Sequence, residues 1–519
     1  MLYSREYVRA LDAAAIVAGT PGVILMKRAA RSAFDLLLGK WPNCTGIIVL
    51  CGAGNNAGDG YVLAGLAAQE CIPVTVWYVS SPDALQGDAL SAYHFAMQEG
   101  VVCEPFDRRL AQQADLYDTG GVLVDALLGI GLNKIVGGNY ADAIRWLNNR
   151  GLPVLALDVP SGLCANTGRV FGCAVNADAT ITFIGIKKGL LTGQAANHVG
   201  LLQFSDLGVL PDSLRVDSSF DNDQSIQRLE FSELLACLPS RRGSEHKGNF
   251  GHLSLIGGDN GMGGAILMAA ESSFCCGIGL VSIITHIQNV TAALIRLPEA
   301  MARGVDDHID KSLLNEILCK ATALVVGPGI GRRSWAALLV NTSLDQTIPM
   351  VLDADGLNLL ADGSTDVRFR DNWVLTPHPG EAARLLKTDI ATIEQDRFAA
   401  VIALQKKYGG VVVLKGAGTL VANHRGVFVC TYGNPSMATA GMGDVLSGII
   451  GALLAQNMSC VDAACLGVCI HALAGDEEIS HNGRIGLRST GLFPYIRYVL
   501  NTDLYRSVDN ESISIHYPS

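Results

Sequence analysis

The chain is poor in aromatic and in charged side chains, which make up 6% and 17% of its 519 residues. A hydrophobic content of 49% excludes extended disorder, and the 58 glycines follow no collagen-like period. Because aromatic residues are scarce, a core must be built from Ala, Val, Ile and Leu. This composition favours parallel α/β sheets that are covered by helices.

The chain also lacks a basic stripe and a long apolar run, and we expect no secretory leader. Its formal net charge is −11, from 38 basic and 49 acidic residues, which argues against a nucleic-acid partner. The nearest basic cluster, Arg241-Arg242 with Lys247, is interpreted either as a solvated loop or as a phosphate contact. Charged residues near the N-terminus exclude the apolar core of a signal peptide. The most apolar stretch, residues 445–455, is too short to span a bilayer.

The cysteines form no Cys-x-x-Cys motif, although there are 14 of them. Most lie in apolar runs, where a free cysteine behaves as a small hydrophobic residue. A disulfide framework is typical of short secreted chains rather than of a chain this long. The sequence therefore predicts a reducing compartment, and we expect a soluble cytoplasmic protein with no membrane partner.

Two α/β domains are predicted on either side of a polar, Asp- and Ser-rich segment. We expect a first domain at residues 1–212, a linker at 213–230 and a second domain at 231–505. Short β-branched runs alternate with helical stretches in both halves, which is the rhythm of a parallel sheet. The predicted strands are residues 46–51, 74–79, 122–125 and 154–158 in the first half, and 252–256, 280–284, 323–326, 350–352, 373–376 and 411–414 in the second.

A glycine-rich segment, GAGNNAGDG at residues 52–60, follows the first predicted strand and precedes a helical run that begins at Tyr61. Glycines in that place let backbone N–H groups approach an anion, and a helix N-terminus adds positive potential. The segment is interpreted as a phosphate-binding place in a nucleotide site, or as a plain turn rich in Asn and Gly.

Two further strand ends carry carboxylates. Asp125 ends one predicted strand, and Asp158, followed by Ser161, ends the next. Ligands of open α/β sheets bind at the carboxyl ends of the strands. Asn56, Asp125 and Ser161 all offer oxygen and are predicted to meet around one hard cation, although a single Asp at a strand end can also cap the next helix.

Residues 7–210 resemble the NAD(P)H-hydrate epimerase domain of the bifunctional NAD(P)H-hydrate repair enzymes, which has a Rossmann-like fold. The residues that carry the resemblance are GNNAGDG, VDALLGIGL, LDVPSGLCANTG and ADATITF with Lys188-Gly189. The resemblance implies that Asn56, Asp125 and Ser161 bind K⁺ and that Asp158 contacts the hydrate. It also implies a set of substrate-binding residues: Asn55, Asn56, Ala57, Gly58, Asp59, Gly129, Ile130, Gly131, Leu132, Asn133, Lys134, Ile135 and Asp158.

The chemistry of that substrate calls for an acid–base group. The hydrate carries a hydroxyl on C6 beside the ring nitrogen, so its C–O bond is labile once the nitrogen donates electrons. Epimerisation needs a proton-transferring group near this hydroxyl. Asp158 is the first candidate, and Asp125 is the second because cation binding would hold it ionised.

The second half carries a sharper motif, Gly441-Met442-Gly443-Asp444, before an apolar helix. Its backbone N–H groups can turn toward a transferring phosphoryl group, and Asp444 is placed to take a proton from an attacking hydroxyl or else to cap the helix. Three other strand ends accompany it: KGAGT at residues 415–419, TPHPGE at 376–381, and DADGLN at 353–358, which either favours Mg²⁺ or caps a helix.

The second half is similar to the ADP-dependent (S)-NAD(P)H-hydrate dehydratases of the ribokinase-like superfamily, from Arg241 to about Leu500. The matching segments are HKGNFG, IGG with GMGGA, LPEAM, GPGIG, LDADGLN, TPHPGE, LKGAGT and GNPSMATAGMGDVLSG. The resemblance implies a ribokinase-like α/β sandwich that uses ADP with Mg²⁺, and a catalytic base, Asp444. The implied hydrate-binding residues are Ala265, Gly329, His378 and Asp444, and the implied nucleotide-binding residues are Lys415, Gly416, Ala417, Gly418, Thr419 and Gly443.

The sequence thus predicts a two-domain repair enzyme: one domain interconverts the R and S hydrates of NADH and NADPH, and the other dehydrates the S form with release of AMP and phosphate. Its partners are these small molecules, and a homo-oligomer is compatible with the family. The alternative hypothesis makes the second half an ATP-dependent kinase for a small alcohol and the first half a non-catalytic binding module.

Overall fold

The computed structural model describes residues 1–107, 120–209, 226–306, 308–365, 369–502 and 514–515. The chain divides into two compact units, Met1–Ile226 with Asn510–Ser519, and Gln227–Asp509. The predicted linker, residues 213–230, lies mostly outside the described residues. Its last part is wrong, because Ile226–Arg228 form a strand of the second sheet. A three-residue edge strand carries too little alternation for the sequence to reveal it.

The first unit is a twisted sheet with helices on its faces. Its elements are α1 (Arg5–Val17), α2 (Gly22–Lys40), β1 (Gly46–Cys51), α3 (Asn55–Gln69), β2 (Val74–Tyr78), α4 (Gly87–Gln98), β3 (Val102–Pro105), β4 (Gly121–Ala126), α5 (Gly138–Asn148), β5 (Val154–Leu157), β6 (Ala179–Phe183), β7 (Leu201–Ser205) and β18 (Ser514–Ile515). The strand order is β18-β7-β6-β5-β4-β1-β2-β3, and only β18 pairs antiparallel. The chain reverses its direction of travel across the sheet between β1 and β4, which opens a crevice at their carboxyl ends.

The second unit has a ten-stranded sheet in the order β11-β10-β9-β12-β13-β14-β15-β16-β17-β8. Its strands are β8 (Ile226–Arg228), β9 (His252–Ile256), β10 (Leu280–His286), β11 (Met301–Val305), β12 (Ala323–Val326), β13 (Met350–Leu352), β14 (Trp373–Leu375), β15 (Val411–Leu414), β16 (Thr419–Asn423) and β17 (Gly426–Cys430). The strands from β9 to β15 pair parallel with their neighbours in the sheet. Strand β16 pairs antiparallel with both β15 and β17. The order reverses between β9 and β12, so this sheet also has a switch point.

Helices cover the second sheet. They are α6 (Phe231–Leu235), α7 (Gly263–Cys275), α8 (Val290–Arg296), α9 (Lys311–Leu318), α10 (Ser334–Leu344), α11 (Ala354–Asp362), α12 (Pro379–Leu386), α13 (Ile390–Gln395), α14 (Arg397–Tyr408), α15 (Met442–Ala455), α16 (Cys460–Asn482) and α17 (Leu492–Asn501). The predicted α/β fold class is confirmed, because each unit has a mainly parallel sheet flanked by helices. Within the described ranges, none of the helices combines the length and apolarity needed to cross a membrane.

The glycine-rich segment after β1 is helical earlier than predicted. Helix α3 begins at Asn55 rather than near Tyr61, so residues 55–59 are its first turns and not a loop. The prediction failed because glycine disfavours a helix, whereas here it permits close packing. A methyl group on Gly58 would lie 2.7 Å from the Sδ atom of Met26, and one on Gly60 would lie 2.6 Å from the Cβ atom of Ala126.

We predict that Gly448→Ala destabilises the second unit by about 1–3 kcal/mol, because the added methyl overpacks a helix contact. It would lie 2.0 Å from the carbonyl oxygen of Ala269, where α15 crosses α7. Chemical unfolding measures the change. Gly264→Ala is the matched control, because no atom lies within 4 Å of its added methyl, and an equal loss of stability in both variants would contradict the packing argument.

Candidate active sites

The first unit has a cleft of about 520 Å³ at the carboxyl ends of its central strands. The structure brings most of the residues implied for the hydrate to its wall: Asn55, Asn56, Asp59, Gly129, Ile130, Gly131, Leu132, Asn133, Lys134 and Asp158. Three others do not line it. Ala57 and Gly58 are buried on the core side of α3, and Ile135 is 73% exposed to solvent.

Asp158 follows β5 and points a carboxylate into this cleft. Its backbone has φ 65°, a left-handed conformation that is rare for a residue with a side chain. A hydrogen bond to the neighbouring strand stabilises this backbone conformation, because the Asp158 N–H donates to the carbonyl of Ile181 at 2.7 Å. The side-chain Oδ1 accepts from Thr182 Oγ1 at 3.3 Å and from the backbone N–H of Phe183 at 3.4 Å. Backbone strain of this kind is concentrated at functional sites.

Lys187 is the partner that the sequence did not reveal. Its side chain is 1% exposed, and its ammonium forms an ion pair with Asp158 Oδ1. The same nitrogen donates to Thr182 Oγ1 at 3.1 Å and to the carbonyl of Phe183 at 2.8 Å. Lys188-Gly189 was predicted to belong to a family motif, but two adjacent lysines in a sequence do not show which one is buried.

Further carboxylates surround this pair. Burial, together with the charge of Asp158, raises the pKa of Asp12 and raises that of Asp59 well above its usual range. Both residues line the cleft with Asp158. The cleft therefore combines a carboxylate paired with lysine and a carboxyl group that favours its protonated form.

The residues predicted to bind a cation lie beside the cleft. Asp125 is fully buried: its Oδ1 accepts from Ser161 Oγ at 2.6 Å, and its Oδ2 accepts from Ser161 N–H at 2.7 Å. Burial nevertheless raises the pKa of Asp125 to about 6. The Oδ1 and Nδ2 atoms of Asn56 are buried without a hydrogen-bond partner among the described residues. Asp125 is absent from the cleft wall, so of the two acid–base candidates only Asp158 faces the cleft.

The second site is built around the start of α15. Gly441 precedes the helix with φ 90°, a conformation that glycine adopts without strain, and Asp444 lies in the first turn. Asp444 is thus not the N-cap residue. Burial and the nearby Asp353 raise the pKa of Asp444 to about 7, although Lys415 opposes the shift. A carboxylate with such a pKa suits proton transfer near neutrality.

Lys415 begins the KGAGT loop after β15 and reaches toward the same place. Its Nζ lies 2.9 Å from Asp353 Oδ1 and 3.9 Å from Glu381 Oε2. A methyl on Gly443 would be 3.2 Å from this Nζ. Buried Arg397 holds the start of this loop in place, because it donates to the carbonyls of Leu414 at 3.2 Å and Lys415 at 3.1 Å. Neither Arg397 nor this role was predicted from the sequence.

Asp353 and the TPHPGE segment at residues 376–381 supply further charged and polar side chains near Lys415. Asp353 Oδ2 accepts from Ser447 Oγ at 2.7 Å. Asp353 is the N-cap residue of α11, but its side chain accepts no hydrogen bond from that helix, whereas its carbonyl accepts from the Gly356 N–H at 2.9 Å. His378 is the N-cap of α12, where its side chain accepts from Gly380 and Glu381 N–H groups. Burial raises the pKa of Glu381 to about 7, against the opposing charge of Lys415.

The remaining implied residues lie at the same edge of the sheet. Gly329 packs against the start of α7, where a methyl on Gly329 would lie 3.1 Å from the Cβ atom of Ala265. In the nucleotide loop, Thr419 Oγ1 donates to the carbonyl of Gly416 at 2.9 Å. The basic cluster lies elsewhere: Arg241 stacks over the Phe250 ring at 4.1 Å and donates to the Gly277 carbonyl.

Two family descriptions match the chain. The family described as "YjeF-related protein N-terminus" matches residues 22–189, and the family described as "NAD(P)H-hydrate dehydratase" matches residues 253–497. The two matches follow the division of the chain into two units.

Two relatives match this chain over nearly all of its residues. A "Bifunctional NAD(P)H-hydrate repair enzyme Nnr" of Coxiella burnetii is 42% identical over 96% of this chain and 99% of its own. A protein of the same name from Escherichia coli is 40% identical over 98% of this chain and 96% of its own. Among solved structures, a ribokinase-like superfamily protein from Enterococcus faecalis is 30% identical, with a TM-score of 0.49, and covers 54% of this chain and 97% of its own.

We predict that Lys187→Met lowers the free energy of unfolding of the first unit by about 3 kcal/mol, because it leaves the Asp158 carboxylate without its cation. Adding Asp158→Asn should recover part of the loss, since the uncompensated charge is then gone. Lys134→Met is the control, because Lys134 is exposed and should change stability by less than about 0.5 kcal/mol. Wild-type stability in the Lys187 variant would contradict the prediction.

Proposed function

The chain belongs to the bifunctional NAD(P)H-hydrate repair enzymes, and from this premise we propose how its residues divide the work. The first unit carries the epimerase activity and the second the dehydratase activity. The observation that supports the residue assignment is common to both units. In each, a carboxylate at a strand end forms an ion pair with one lysine beside a second carboxyl group of raised pKa.

In the epimerase site we assign Asp158 to proton transfer at the C6 hydroxyl. Loss of that hydroxyl as water is assisted by the ring nitrogen, and return of water to the opposite face inverts C6. Each direction moves one proton to or from the leaving oxygen. Lys187 positions the Asp158 carboxylate, and the loop from Gly129 to Lys134 forms the opposite wall of the cleft.

We predict that Asp158→Asn lowers the epimerisation rate at least about a hundredfold, because the amide cannot accept the proton. Dehydration of the pure S hydrate should be unchanged, since it takes place in the other unit. The assay follows conversion of pure R to S hydrate by chromatography. Asp35→Asn, at an exposed carboxylate of α2, serves as control, and an Asp158 variant as active as this control would disprove the assignment.

The buried oxygens beside the cleft fit K⁺. Asn56 offers an amide oxygen that lacks a partner among the described residues, and Asp125 contributes the single carboxylate, with Ser161 attached to it. One carboxylate among neutral oxygens matches a cation of low charge. Bound there, K⁺ would offset the burial of Asp125 and fix the Asn56 end of α3.

We predict that replacing K⁺ by choline slows epimerisation and leaves dehydration of the S hydrate unchanged. K⁺ should also raise the melting temperature of the wild-type first unit, since a ligand of the folded state stabilises it. Asn56→Leu should lose that increase. A melting temperature that responds equally to K⁺ in both proteins would show that the ion binds elsewhere.

In the dehydratase site we assign Asp444 as the base for the C6 hydroxyl, which attacks the β-phosphorus of ADP. Phosphate then leaves C6 with help from the ring nitrogen, and loss of a C5 proton restores NAD(P)H. Gly441 to Gly443 present backbone N–H groups at the start of α15, where an anion is favoured. Residues 415–419 hold the nucleotide, and Ala265, Gly329 and His378 contact the hydrate.

The carboxylates around Lys415 also fit Mg²⁺ bound with the nucleotide phosphates, because this ion takes a few carboxylate oxygens together with substrate oxygens. Both oxygens of Asp353 are engaged by Lys415 and Ser447. Glu381 Oε2 accepts from the His378 N–H at 2.8 Å, and we assign Glu381 Oε1 as the oxygen that holds the ion, which would neutralise phosphate charge.

We predict that kcat/KM of the dehydratase rises with pH through about 7, because Asp444 must be ionised to act as base and its pKa is raised to about 7. Asp444→Asn should lose activity at every pH. Burial raises the pKa of Glu381 to the same range, so the activity that remains in Glu381→Gln, which lacks the proposed Mg²⁺ carboxylate, must keep the pH dependence. A flat profile in Glu381→Gln would assign the titration to Glu381 instead.

The alternative, an ATP-dependent small-alcohol kinase joined to a non-catalytic module, is not favoured, because the match at residues 253–497 is to the NAD(P)H-hydrate dehydratases. The cytoplasmic location and a homo-oligomeric state remain predictions from the sequence.

A further inference from the structure

The Lys415 ammonium lies at the start of α15 rather than out along the loop that begins with it. Its Nζ is 2.9 Å from Asp353 Oδ1, and Gly443 is so close that a methyl there would be 3.2 Å away. The backbone of Lys415 is fixed by its N–H, which donates to the Pro377 carbonyl at 2.9 Å. The side chain is therefore directed at the turn that carries Asp444.

Not all N–H donors of the Lys415 ammonium have an acceptor among the described residues. Among the described residues, Asp353 Oδ1 is the one acceptor within hydrogen-bond distance of Nζ, since Glu381 lies at 3.9 Å. An ammonium has three N–H donors, and a fifth of the side chain is exposed. Two donors are thus left for a ligand with several acceptor oxygens, and a phosphoryl group has three.

The surrounding charge makes a cation necessary at this point. Asp353, Glu381 and Asp444 bring three carboxyl groups to one lysine. A phosphoryl group that enters here adds negative charge, and that charge spreads over its equatorial oxygens during transfer. A fixed positive group at that position stabilises the transition state more than the bound nucleotide.

We propose that Lys415 is a catalytic residue of the dehydratase whose ammonium binds the phosphoryl group as it passes from ADP to the C6 hydroxyl, with Asp353 and Ser447 as positioning residues. The proposal rests on the ADP-dependent function proposed above and changes the role of Lys415 from holding the nucleotide to stabilising transfer.

In this step the bond between the β-phosphorus and the oxygen that bridges to the α-phosphorus breaks, and AMP leaves with that electron pair. A bond forms between the β-phosphorus and the C6 oxygen, whose proton passes to Asp444. Lys415 gives up no proton. Because AMP lacks the transferred group, the contact made by Lys415 is absent from the AMP complex.

The test compares Lys415→Gln and Lys415→Arg in the full-length protein, using S hydrate and ADP for turnover and AMP for equilibrium binding. We expect kcat to fall at least about a hundredfold in Lys415→Gln while the Kd for AMP stays within about twofold of the wild type. Lys415→Arg retains a cation for buried Asp353, so it should fold and bind AMP, but its longer side chain should still lower kcat. Ser447→Ala should lower kcat less than either variant.

Thr419→Ala is the matched comparison within the same loop, where a nucleotide-holding role should raise KM for ADP and preserve kcat. The proposal is overturned if the Lys415 variants behave in that way, with a wild-type kcat and a raised KM for ADP, or if they lose AMP binding. In either case the proposed function stands. If the wild-type protein itself forms no AMP from ADP and S hydrate, the proposed function fails instead.

Discussion

Each half of this enzyme depends on one carboxylate at the end of a parallel strand and on the lysine that neutralises it. Asp158 and Lys187 form this pair in the first unit, and Asp353 and Lys415 form it in the second. Removing such charges from water is costly unless they are paired and hydrogen-bonded. Burial, together with the charge of the paired carboxylate, raises the pKa of Asp59 beside the first pair and of Asp444 beside the second, although the lysine of each pair opposes the shift.

The two sites act on the same carbon in different ways. An epimerase must release the C6 hydroxyl and restore it, so proton transfer beside a labile C–O bond suffices. A dehydratase must prevent the return of the hydroxyl, and conversion to phosphate turns a poor leaving group into a good one. The first site accordingly has carboxylates beside the buried oxygens that we propose bind K⁺, whereas the second adds glycine N–H groups at a helix start and a lysine directed at them.

Strand ends and motifs were predictable from the sequence because they are local. Predicted strands 46–51, 252–256, 323–326, 350–352 and 411–414 have the observed bounds, and Asp125, Asp158 and Asp444 were found as carboxylates after strands or before a helix. Lys187 was missed because burial decides between two adjacent lysines. Arg397 and Glu381 were given no separate role, since their contacts join segments that are distant in the chain. The early start of α3 was missed because packing of Gly58 and Gly60 overrides helix propensity.

We propose that both sites act in sequence on one substrate pool, with one ADP consumed for each hydrate repaired, and this sequence of reactions can be measured. It is tested most directly by supplying the full-length protein with a mixture of R and S NADH hydrate, ADP, Mg²⁺ and K⁺. We expect NADH absorbance to recover for both epimers and AMP to appear in equal amount. Recovery that stops when the S hydrate is exhausted, or recovery without AMP, would contradict it.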